Sequence, residues 1–490
     1  MSEGDFIRDA VKLIRIPPGL PSKRPIAPTW QNPPHPTVSN AQSQSLAPET
    51  DVVIIGSGIT GIGAAHYLLH NAHSRKVTMV EARTAVSGAT GRNGGHLVSD
   101  SDALFPALVK AIGVERAVET VRFSEANIRR LKELLSTLSL EEREAVEYRE
   151  VVSATSFTDQ ATFEDAVQSL RDFLKAVPES DIKYNVFSKE EATRIFNFTN
   201  TAGATAQTGV AALWPYRLLT TVLASLRSGF ADRFALETNT PVLSVDATAG
   251  NYIVNTARGS IRARHVIHCT NGYSAHLIPG LVGSLYPLRG TMSTQKLGPN
   301  FPHAGDKMSW SQESHGTYDG KTGHVHLGLY YAQQNAKMGV MFLGGESQNL
   351  RTLLTSDDSS VANDAHATLT SAAPEIWKNA APTKPLEVWS GIMGFTADGM
   401  PIVGKVPQSL TGRLGSSEWI AAGFNGHGMD KCWLSGEAIA RMVLGGREVA
   451  GFPKAYLVTD ERVKTWSPEV AAETLMDQII HGGTAPASKL

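Results

Sequence analysis

Apolar and polar positions along the chain first follow the pattern of a strand, a turn and a helix. A continuous apolar run at residues 52–55 predicts a buried strand, and the apolar spacing of Ile62–Leu69 predicts the helix after it. Lys76–Val80 predicts the next strand. Helical spacing then dominates from 103 to 175, with a strand-like interruption at Val146–Ser156. This alternation favours an α/β fold.

The second half of the chain is predicted to contain more strands. Ser188 and Glu191 form a capping box at the start of a helix, and residues 209–229 are predicted to be helical with Pro215 near the start. Trp419–Met429 predicts a strand that enters a glycine-rich turn, followed by a helix over 430–444. Further strands are predicted at Pro241–Asp246, Asn251–Thr256, His265–Cys269, His324–Tyr331 and Gly339–Leu343.

Three glycines follow the first strand with the spacing of a dinucleotide-binding turn. Gly56 permits a tight turn, Gly58 lets the backbone approach a phosphate, and Gly61 lets the helix pack closely on the strand. A pyrophosphate placed there meets free N–H groups and the positive end of a helix. Glu81 ends the next strand, where a carboxylate can accept hydrogen bonds from a ribose.

Composition excludes several classes of protein. The chain has 490 residues, 42% of them hydrophobic and 19% charged, and its net charge of −2 provides no field that would attract nucleic acid. Cys269 and Cys432 form neither a disulfide framework nor a metal-ligand spacing, and both lie in elements that we expect to be buried. This cysteine content fits a protein in an intracellular, reducing compartment. We expect neither a signal peptide nor a membrane span. The terminal Ser488-Lys489-Leu490 predicts recognition by the peroxisomal import receptor, and therefore a peroxisomal location.

The N-terminal residues 1–49 differ from the rest in their density of prolines. Few periodic apolar positions occur between 16 and 50, so we expect an extended arm before the first domain. Trp30 is the candidate anchor of this arm.

Motifs in a fixed order resemble the D-amino-acid oxidase and sarcosine oxidase superfamily of FAD-dependent oxidoreductases, over about residues 50–450. The pattern Gly91-Arg92-Asn93-Gly94-Gly95 is most similar to the γ-glutamylputrescine oxidoreductase branch. The stretches that carry the resemblance are Ser87–His96, His268–Tyr273, Pro287–Gly290, Gly391–Gly404 and Gly423–Gly428.

The resemblance implies an α/β fold with an α+β substrate domain. A Rossmann-like FAD-binding domain is expected from three separated segments, with an antiparallel-sheet substrate domain inserted between them. The predicted division is arm 1–49, FAD-binding segments 50–105, 209–287 and 387–458, a helical and substrate-domain segment 106–208, substrate domain 288–386, and tail 459–490.

FAD is the cofactor that the resemblance implies, bound noncovalently. Sarcosine oxidases attach flavin through a cysteine where this chain has Gly391, and His96 is the one exception to test. Helix N-terminal N–H groups presented by Gly426 and Gly428 would stabilise the negative charge of reduced flavin. The predicted contacts are Gly56, Ser57, Gly58, Ile59, Thr60, Gly61, Glu81, Ala82, Arg83, Ala89, Thr90, Arg92, Asn93, Gly94, Gly95, His96, Leu97, Val242, Thr270, Asn271, Gly272, Gly391, Gly394, Gly423, Phe424, Asn425, Gly426, Gly428 and Met429.

Catalytic candidates also come from the resemblance. His427 is a candidate donor to the flavin ring, and Lys431 is a candidate for assisting dioxygen. Tyr330, Tyr331 and Trp389 are candidate aromatic walls around an amine. Relatives that oxidise amino acids clamp the substrate carboxylate with an arginine, and residues 291–350 contain none, so we expect an amine substrate.

The expected reaction moves a hydride from a C–H beside an amine to flavin N5, and then electrons to O2, giving an imine and H2O2. One alternative is an FAD-dependent tailoring oxidoreductase of a larger secondary metabolite, or a dehydrogenase with another acceptor. A second alternative is a noncatalytic flavin-binding protein. The expected partners are a small amine, O2 and the import receptor, without nucleic acid or membrane.

Overall fold

The computed structural model describes residues 3–248, 250–446 and 449–480. The predicted peroxisomal signal Ser488-Lys489-Leu490 lies outside these residues and stays a prediction. Within them, no helix combines the length and the apolar character needed to cross a bilayer.

Strands and helices alternate along the described residues. The strands are β1 (Glu49–Ile55), β2 (Val77–Val80), β3 (His96–Leu97), β4 (Arg149–Phe157), β5 (Lys183–Ser188), β6 (Gly203–Ala212), β7 (Phe234–Glu237), β8 (Val242–Thr248), β9 (Asn251–Thr256), β10 (Gly259–His268), β11 (Leu285–Gln295), β12 (Met308–Glu313), β13 (Thr317–Asp319), β14 (His324–Gln334), β15 (Met341–Asn349), β16 (Glu387–Thr396), β17 (Ile402–Lys405) and β18 (Glu418–Ala422). The helices are α1 (Glu3–Ile14), α2 (Ile59–Asn71), α3 (Ser101–Ile112), α4 (Val114–Ser136), α5 (Leu140–Val146), α6 (Gln160–Ala176), α7 (Lys189–Phe196), α8 (Pro215–Gly229), α9 (Leu350–Leu353), α10 (Asn363–Ile376), α11 (Gln408–Thr411), α12 (Cys432–Val443), α13 (Asp460–Lys464) and α14 (Pro468–Ile480).

The first sheet has eight strands and a parallel centre. Its main path is β17-β18-β10-β1-β2-β7, and β9 and β8 extend it from β10. β1 pairs in parallel with both β10 and β2, and its central side chains are fully buried, as expected for a strand covered on both faces. α2 and α12 pack against each other beside this sheet. The strands come from three separated parts of the chain, which confirms the predicted Rossmann-like assembly.

The second sheet has ten strands and is mostly antiparallel. Its main path is β16-β11-β15-β14-β12-β4-β6-β3, and only the β12–β4 pair is parallel among the described pairings. β3 ends the glycine-rich loop of residues 87–96 and pairs with β6, so this loop ends at the edge of the second sheet. The predicted α/β fold with an antiparallel second sheet is therefore confirmed. The domain boundaries stay a prediction, and β16, inside the predicted segment 387–458, pairs with β11 of the second sheet.

Two predicted elements differ from the structure. Residues 209–212 complete β6, and the helix predicted over 209–229 begins only at Pro215, whose ring fixes the backbone for a first helical position. The arm contains the unpredicted helix α1, whose Phe6, Ala10 and Ile14 recur every four residues and are buried with residues of α14.

Trp30 anchors the arm as predicted. Its side chain is 2% exposed, and its ring stacks on Phe342 with centroids 3.9 Å apart. The indole Nε1 donates to Asn93 O at 2.5 Å. The arm therefore packs against the loop 87–96 and is hydrogen-bonded to it.

Candidate functional site

The glycine turn after β1 has the geometry of a phosphate cradle. Gly56 has φ +106°, and a Cβ there would lie 2.6 Å from the carbonyl oxygen of Cys269. At Gly58, the residue before α2, a Cβ would meet only Thr90 Oγ1, at 3.2 Å. Apart from Thr90 Oγ1, the space that this Cβ would enter is therefore open, and it lies at the N-terminus of a helix, where a phosphate is favoured.

Glu81 lies directly beside this turn. Its Oε2 accepts hydrogen bonds from Ser57 N at 3.0 Å and Ser57 Oγ at 2.8 Å, and its Oε1 accepts one from Arg83 N at 3.0 Å. Val242, predicted to contact the cofactor, packs in the same apolar cluster as Val80, the residue before Glu81. The Glu81 carboxylate therefore lies just after the end of β2, the position at which the sequence analysis predicts a hydrogen bond with the ribose.

The loop 87–96 is joined to the glycine turn by hydrogen bonds. Ile59 N donates to Thr90 Oγ1 at 3.1 Å, and Val86 N donates to Ser57 Oγ at 2.9 Å. The Ser87 hydroxyl oxygen is buried without a partner in the described residues. An orphaned polar atom beside an open glycine turn fits the pyrophosphate of a dinucleotide such as FAD.

Arg92 is a buried support of this loop. Its guanidinium donates to the carbonyl oxygens of Ser87 at 2.7 Å, Ile26 at 2.8 Å and Ser390 at 2.7 Å. Burial lowers the pKa of Arg92, the Asp358 carboxylate 3.6 Å away partly offsets this effect, and the resulting pKa is about 10. Nη2 has no partner among the described residues and is the one nitrogen free for a cofactor contact.

The remaining predicted segments meet at the other side of the site. Gly423 N donates to Asn271 Oδ1 at 2.9 Å, and Asn425 N donates to Gly394 O at 2.9 Å. A Cβ on Gly272 would lie 2.5 Å from Met393 O, so these backbones pack directly on each other. Predicted cofactor residues from distant parts of the sequence are therefore brought together, although their contacts with FAD stay predictions.

Gly391 and His96 bear on the predicted noncovalent attachment. A Cβ on Gly391 would lie 3.2 Å from the Cβ of Arg92, which leaves little room for a cysteine. His96 Nε2 donates to Ala332 O at 3.1 Å, and burial lowers the pKa of His96 to about 4. His96 is therefore a neutral, hydrogen-bonded side chain at the start of β3.

His427 forms a pair with a residue that the sequence analysis missed. Its Nδ1 lies 2.6 Å from Asp100 Oδ2, and the two side chains are 31% and 42% exposed. Burial raises the pKa of Asp100, but the charge and hydrogen bond of His427 and the charge of Lys431 outweigh it and lower that pKa overall. No local signal marks Asp100, because its partner is 327 positions away.

Lys431 is engaged close to this pair. Its Nζ lies 2.7 Å from both carboxylate oxygens of Asp430 and 3.4 Å from His427 O. Asp430 is buried and also accepts a hydrogen bond from Ser124 Oγ. The positive charge of Lys431 is thus neutralised beside the start of α12, and its predicted role with dioxygen stays untested.

The predicted aromatic wall needs correction at two of its three residues. Consecutive strand residues point to opposite faces, and it is Tyr331 whose ring lies beside Gly94 and His96. Tyr330 packs on the other face, in a different apolar cluster. Trp389 is fully buried, and its indole donates to Arg92 O at 3.0 Å, so it is a core residue with no surface for a substrate.

Comparison with known proteins agrees with this geometry. The family model "FAD dependent oxidoreductase" (DAO) matches residues 51–442. The probable oxidoreductase OrdL of Rhizobium meliloti (strain 1021) is 23% identical over 435 residues, which cover 85% of this chain and 90% of the relative. The structure of glycine oxidase from Geobacillus kaustophilus is similar with a TM-score of 0.65 and 20% identity, covering 84% of this chain and 99% of that one. L-proline dehydrogenase from P. horikoshii has a TM-score of 0.61 and 19% identity, with 84% and 98% covered. The chain therefore belongs to the DAO family of FAD-dependent oxidoreductases, and its cofactor is FAD.

Proposed function

We propose that the protein oxidises an amine with dioxygen as the final electron acceptor. The substrate loses a hydride from the carbon beside its nitrogen, and a proton from that nitrogen, to become an imine that water hydrolyses to a carbonyl compound. FAD supplies the two-electron acceptor, and O2 takes up the electrons with formation of H2O2. The predicted likeness to the γ-glutamylputrescine oxidoreductase branch is compatible with this substrate class.

The pair His427–Asp100 is the observation that carries the proposal. An ammonium group holds no lone pair, so it must lose a proton before hydride can leave the neighbouring carbon. With Nδ1–H donated to Asp100, the other ring nitrogen of His427 keeps its lone pair, and no described residue bonds to it. The Asp100 carboxylate favours the approach of a cation, and His427 can then accept its proton.

The arginines on two strands of the second sheet, Arg149 on β4 and Arg289 on β11, are hydrogen-bonded to other residues of the protein. Arg149 donates to the carbonyl oxygens of Glu147 and Gln334, each at 2.9 Å, and also bonds Gln333. Arg289 reaches Asp357, Ser360 and Gln348 at 3.3 to 3.4 Å. Glycine oxidase and L-proline dehydrogenase are named for amino acids, which carry both an amine and a carboxylate. Among the guanidinium nitrogens of these two arginines, only Arg289 Nε lacks a partner in the described residues, so neither arginine presents a free pair of nitrogens for a carboxylate, which favours recognition of the amine.

Anaerobic reduction of the bound flavin tests the proposal. Purified holoenzyme is mixed with primary and secondary amines, N-methyl amino acids, D-amino acids and 2-hydroxy acids, and air is then admitted. We expect bleaching of the flavin absorbance by amines, with fast reoxidation and peroxide formation in air. Bleaching by carboxylated substrates alone would contradict the proposed substrate class. Slow reoxidation in air would instead indicate a dehydrogenase.

A further inference from the structure

A small polar cavity lies next to the His427–Asp100 pair, between the second sheet and the helices α3 and α6. Its volume is about 30 Å³, enough for a group of the size of one water molecule. We call it the acidic chamber, and Asp100, Asp102 and Glu313 supply its carboxylates. Asp100 belongs to both the chamber and the pair, so the two sites are adjacent.

The sheet supplies the polar floor of the acidic chamber. Ser153 and Thr155 alternate along β4 and point to the same face, and Thr205 and Gln207 pair with them from β6. Glu313 is the last residue of β12, where it pairs with Phe157. The alternation therefore directs hydroxyl groups and a carboxylate from three strands towards one space.

The carboxylates of Asp102 and Glu313 have no cationic partner. Neither forms an ion pair within residues 3–248, 250–446 and 449–480. Burial, with a smaller contribution from the charge of Asp100, raises the pKa of Asp102 to about 7. Burial, with Asp100 and Asp102, raises the pKa of Glu313 to about 8. Asp102 lies in the first turn of α3, where the helix dipole favours a carboxylate, and this explains part of its burial. Glu313 lies at the end of a strand, where no helix dipole explains its burial.

Unpartnered hydroxyl groups provide an independent sign of a ligand. The side chains of Ser153 and Thr205 line the acidic chamber at 5% and 7% exposure, and neither hydroxyl makes a hydrogen bond with a described residue. The Tyr184 hydroxyl group lines the same space and faces the Asp102 carboxylate. Buried polar groups are normally satisfied, so a ligand with several hydrogen-bonding positions fits this space.

The chemistry of the acidic chamber selects a small organic cation. Acidic side chains at two or three sides offer an anion no positive charge, and no group of side chains that could hold a metal ion occurs in the described part of the chain. A primary ammonium is compact, positively charged and carries three donors, which match carboxylate and hydroxyl oxygens. Phe157 and Ala166 provide apolar contact for the methylene group that carries it.

We infer that the acidic chamber binds the distal ammonium group of a substrate with two cationic nitrogens, while the nitrogen to be oxidised lies beside His427. This inference rests on the function proposed above. Asp102 and Glu313 would then contribute to specificity for diamines over monoamines, and the length of chain between the two nitrogens would be set by the path past Asp100.

Calorimetric titration of the holoenzyme under anaerobic conditions tests the inference without turnover in air. The probes are diaminobutane, diaminohexane and diaminooctane with terminal amino groups, each compared with the monoamine of the same length. We expect at least one diamine to bind about tenfold more tightly than its monoamine, since a charge-assisted hydrogen bond contributes in that range.

Isosteric variants locate the effect. Asp102→Asn and Glu313→Gln each remove a carboxyl group that a bound ammonium would hold in its charged form, while preserving shape, and each is expected to reduce the diamine preference about tenfold or abolish it. Asp165→Asn is the matched control, because Asp165 is exposed on α6, one residue from the chamber-lining Ala166. It should leave the preference unchanged. Thermal unfolding and flavin content of each variant verify that it is folded.

The outcomes separate this inference from the proposed function. Flavin bleaching by amines without any diamine preference would leave the proposed function in place and overturn the inference. A second outcome is that the wild type prefers diamines, Asp102→Asn and Glu313→Gln lose this preference, and no amine bleaches the flavin. That outcome would support the binding site and overturn the proposed function. An equal loss in Asp165→Asn would attribute the preference to general surface charge and overturn the inference.

Discussion

His427 Nδ1 and Asp100 Oδ2 lie 2.6 Å apart and connect the last glycine turn to the start of α3. The contact joins residues from the two ends of the family region, one just before α12 and the other just after β3. Because Asp100 accepts from Nδ1, it fixes the tautomer of the imidazole and directs the other nitrogen away from α3. Under the proposed function, this contact orients His427 as a proton acceptor near the segments predicted to bind the cofactor.

Asp100→Asn is expected to slow anaerobic flavin reduction by a monoamine about tenfold to a hundredfold. The neutral amide no longer stabilises a protonated imidazole, and its NH2 group can turn the histidine to the wrong tautomer. Stopped-flow absorbance measures the limiting rate. Asp232→Asn, at an exposed site without an ion pair, is the control and should reduce at the wild-type rate. An unchanged rate in Asp100→Asn would remove the pair from the mechanism.

Gly58→Val is expected to abolish flavin retention without unfolding the protein. Gly58 has φ −71° and ψ 175°, a conformation that valine adopts readily, and the added side chain would project towards the space left for phosphate. Flavin absorbance after gel filtration measures retention. Gly229→Ala, at the end of α8 with nothing within 4 Å of the new Cβ, should remain yellow. A fully loaded Gly58→Val protein would place the pyrophosphate elsewhere.

Trp30→Ala is expected to destabilise the protein by about 3–5 kcal/mol, since it removes a large buried ring from a stacked cluster. It also frees Asn93 O in the glycine-rich loop, so flavin affinity should fall with stability. Urea unfolding and flavin titration measure the two effects. Ile16→Ala, at a residue of the same arm that is 57% exposed, is the control. Wild-type stability in Trp30→Ala would show that the arm is only loosely attached.

Residues whose position depends on local backbone geometry could be predicted from the sequence, whereas those whose position depends on strand pairing could not. The predictions for Gly56, Gly58 and Glu81 rest on local backbone geometry and strand ends, which a short stretch of sequence specifies, and the structure shows that geometry. Tyr330 and Tyr331 could not be distinguished, because the pairing of β14 with β15 shifts register between His326 and Tyr330. Such a bulge changes which face each following side chain takes.

The acidic chamber was hidden from sequence for another reason. Asp100 and Asp102 precede or begin α3, Glu313 ends β12, and Ser153 comes from β4. Isolated acidic residues are ordinarily surface groups, and only the order of strands in the second sheet brings these together. Composition, with a net charge of −2, carries no sign of a local concentration of negative charge.

Glu313→Gln is expected to change how stability depends on pH. Burial, with Asp100 before α3 and Asp102 in α3, raises the pKa of Glu313 to about 8, whereas an unfolded glutamate has a pKa of about 4.3. The folded protein therefore retains a proton that the unfolded chain releases. This contribution to stability is complete below pH of about 4 and is lost as pH rises through about 8.

Glutamine does not ionise, so the variant avoids that loss. Above pH of about 8 we expect Glu313→Gln to exceed the wild type in free energy of unfolding by about 1–2 kcal/mol, with the difference shrinking as pH falls. Urea unfolding at a series of pH values measures it. Glu375→Gln, on the exposed face of α10, should show no such trend. Because Asp102 titrates near pH of about 7 in the same space, Asp102→Asn should shift the wild-type transition to lower pH. Parallel stability curves for wild type and Glu313→Gln would mean that Glu313 is charged throughout, and that the chamber holds its negative charge without a bound cation.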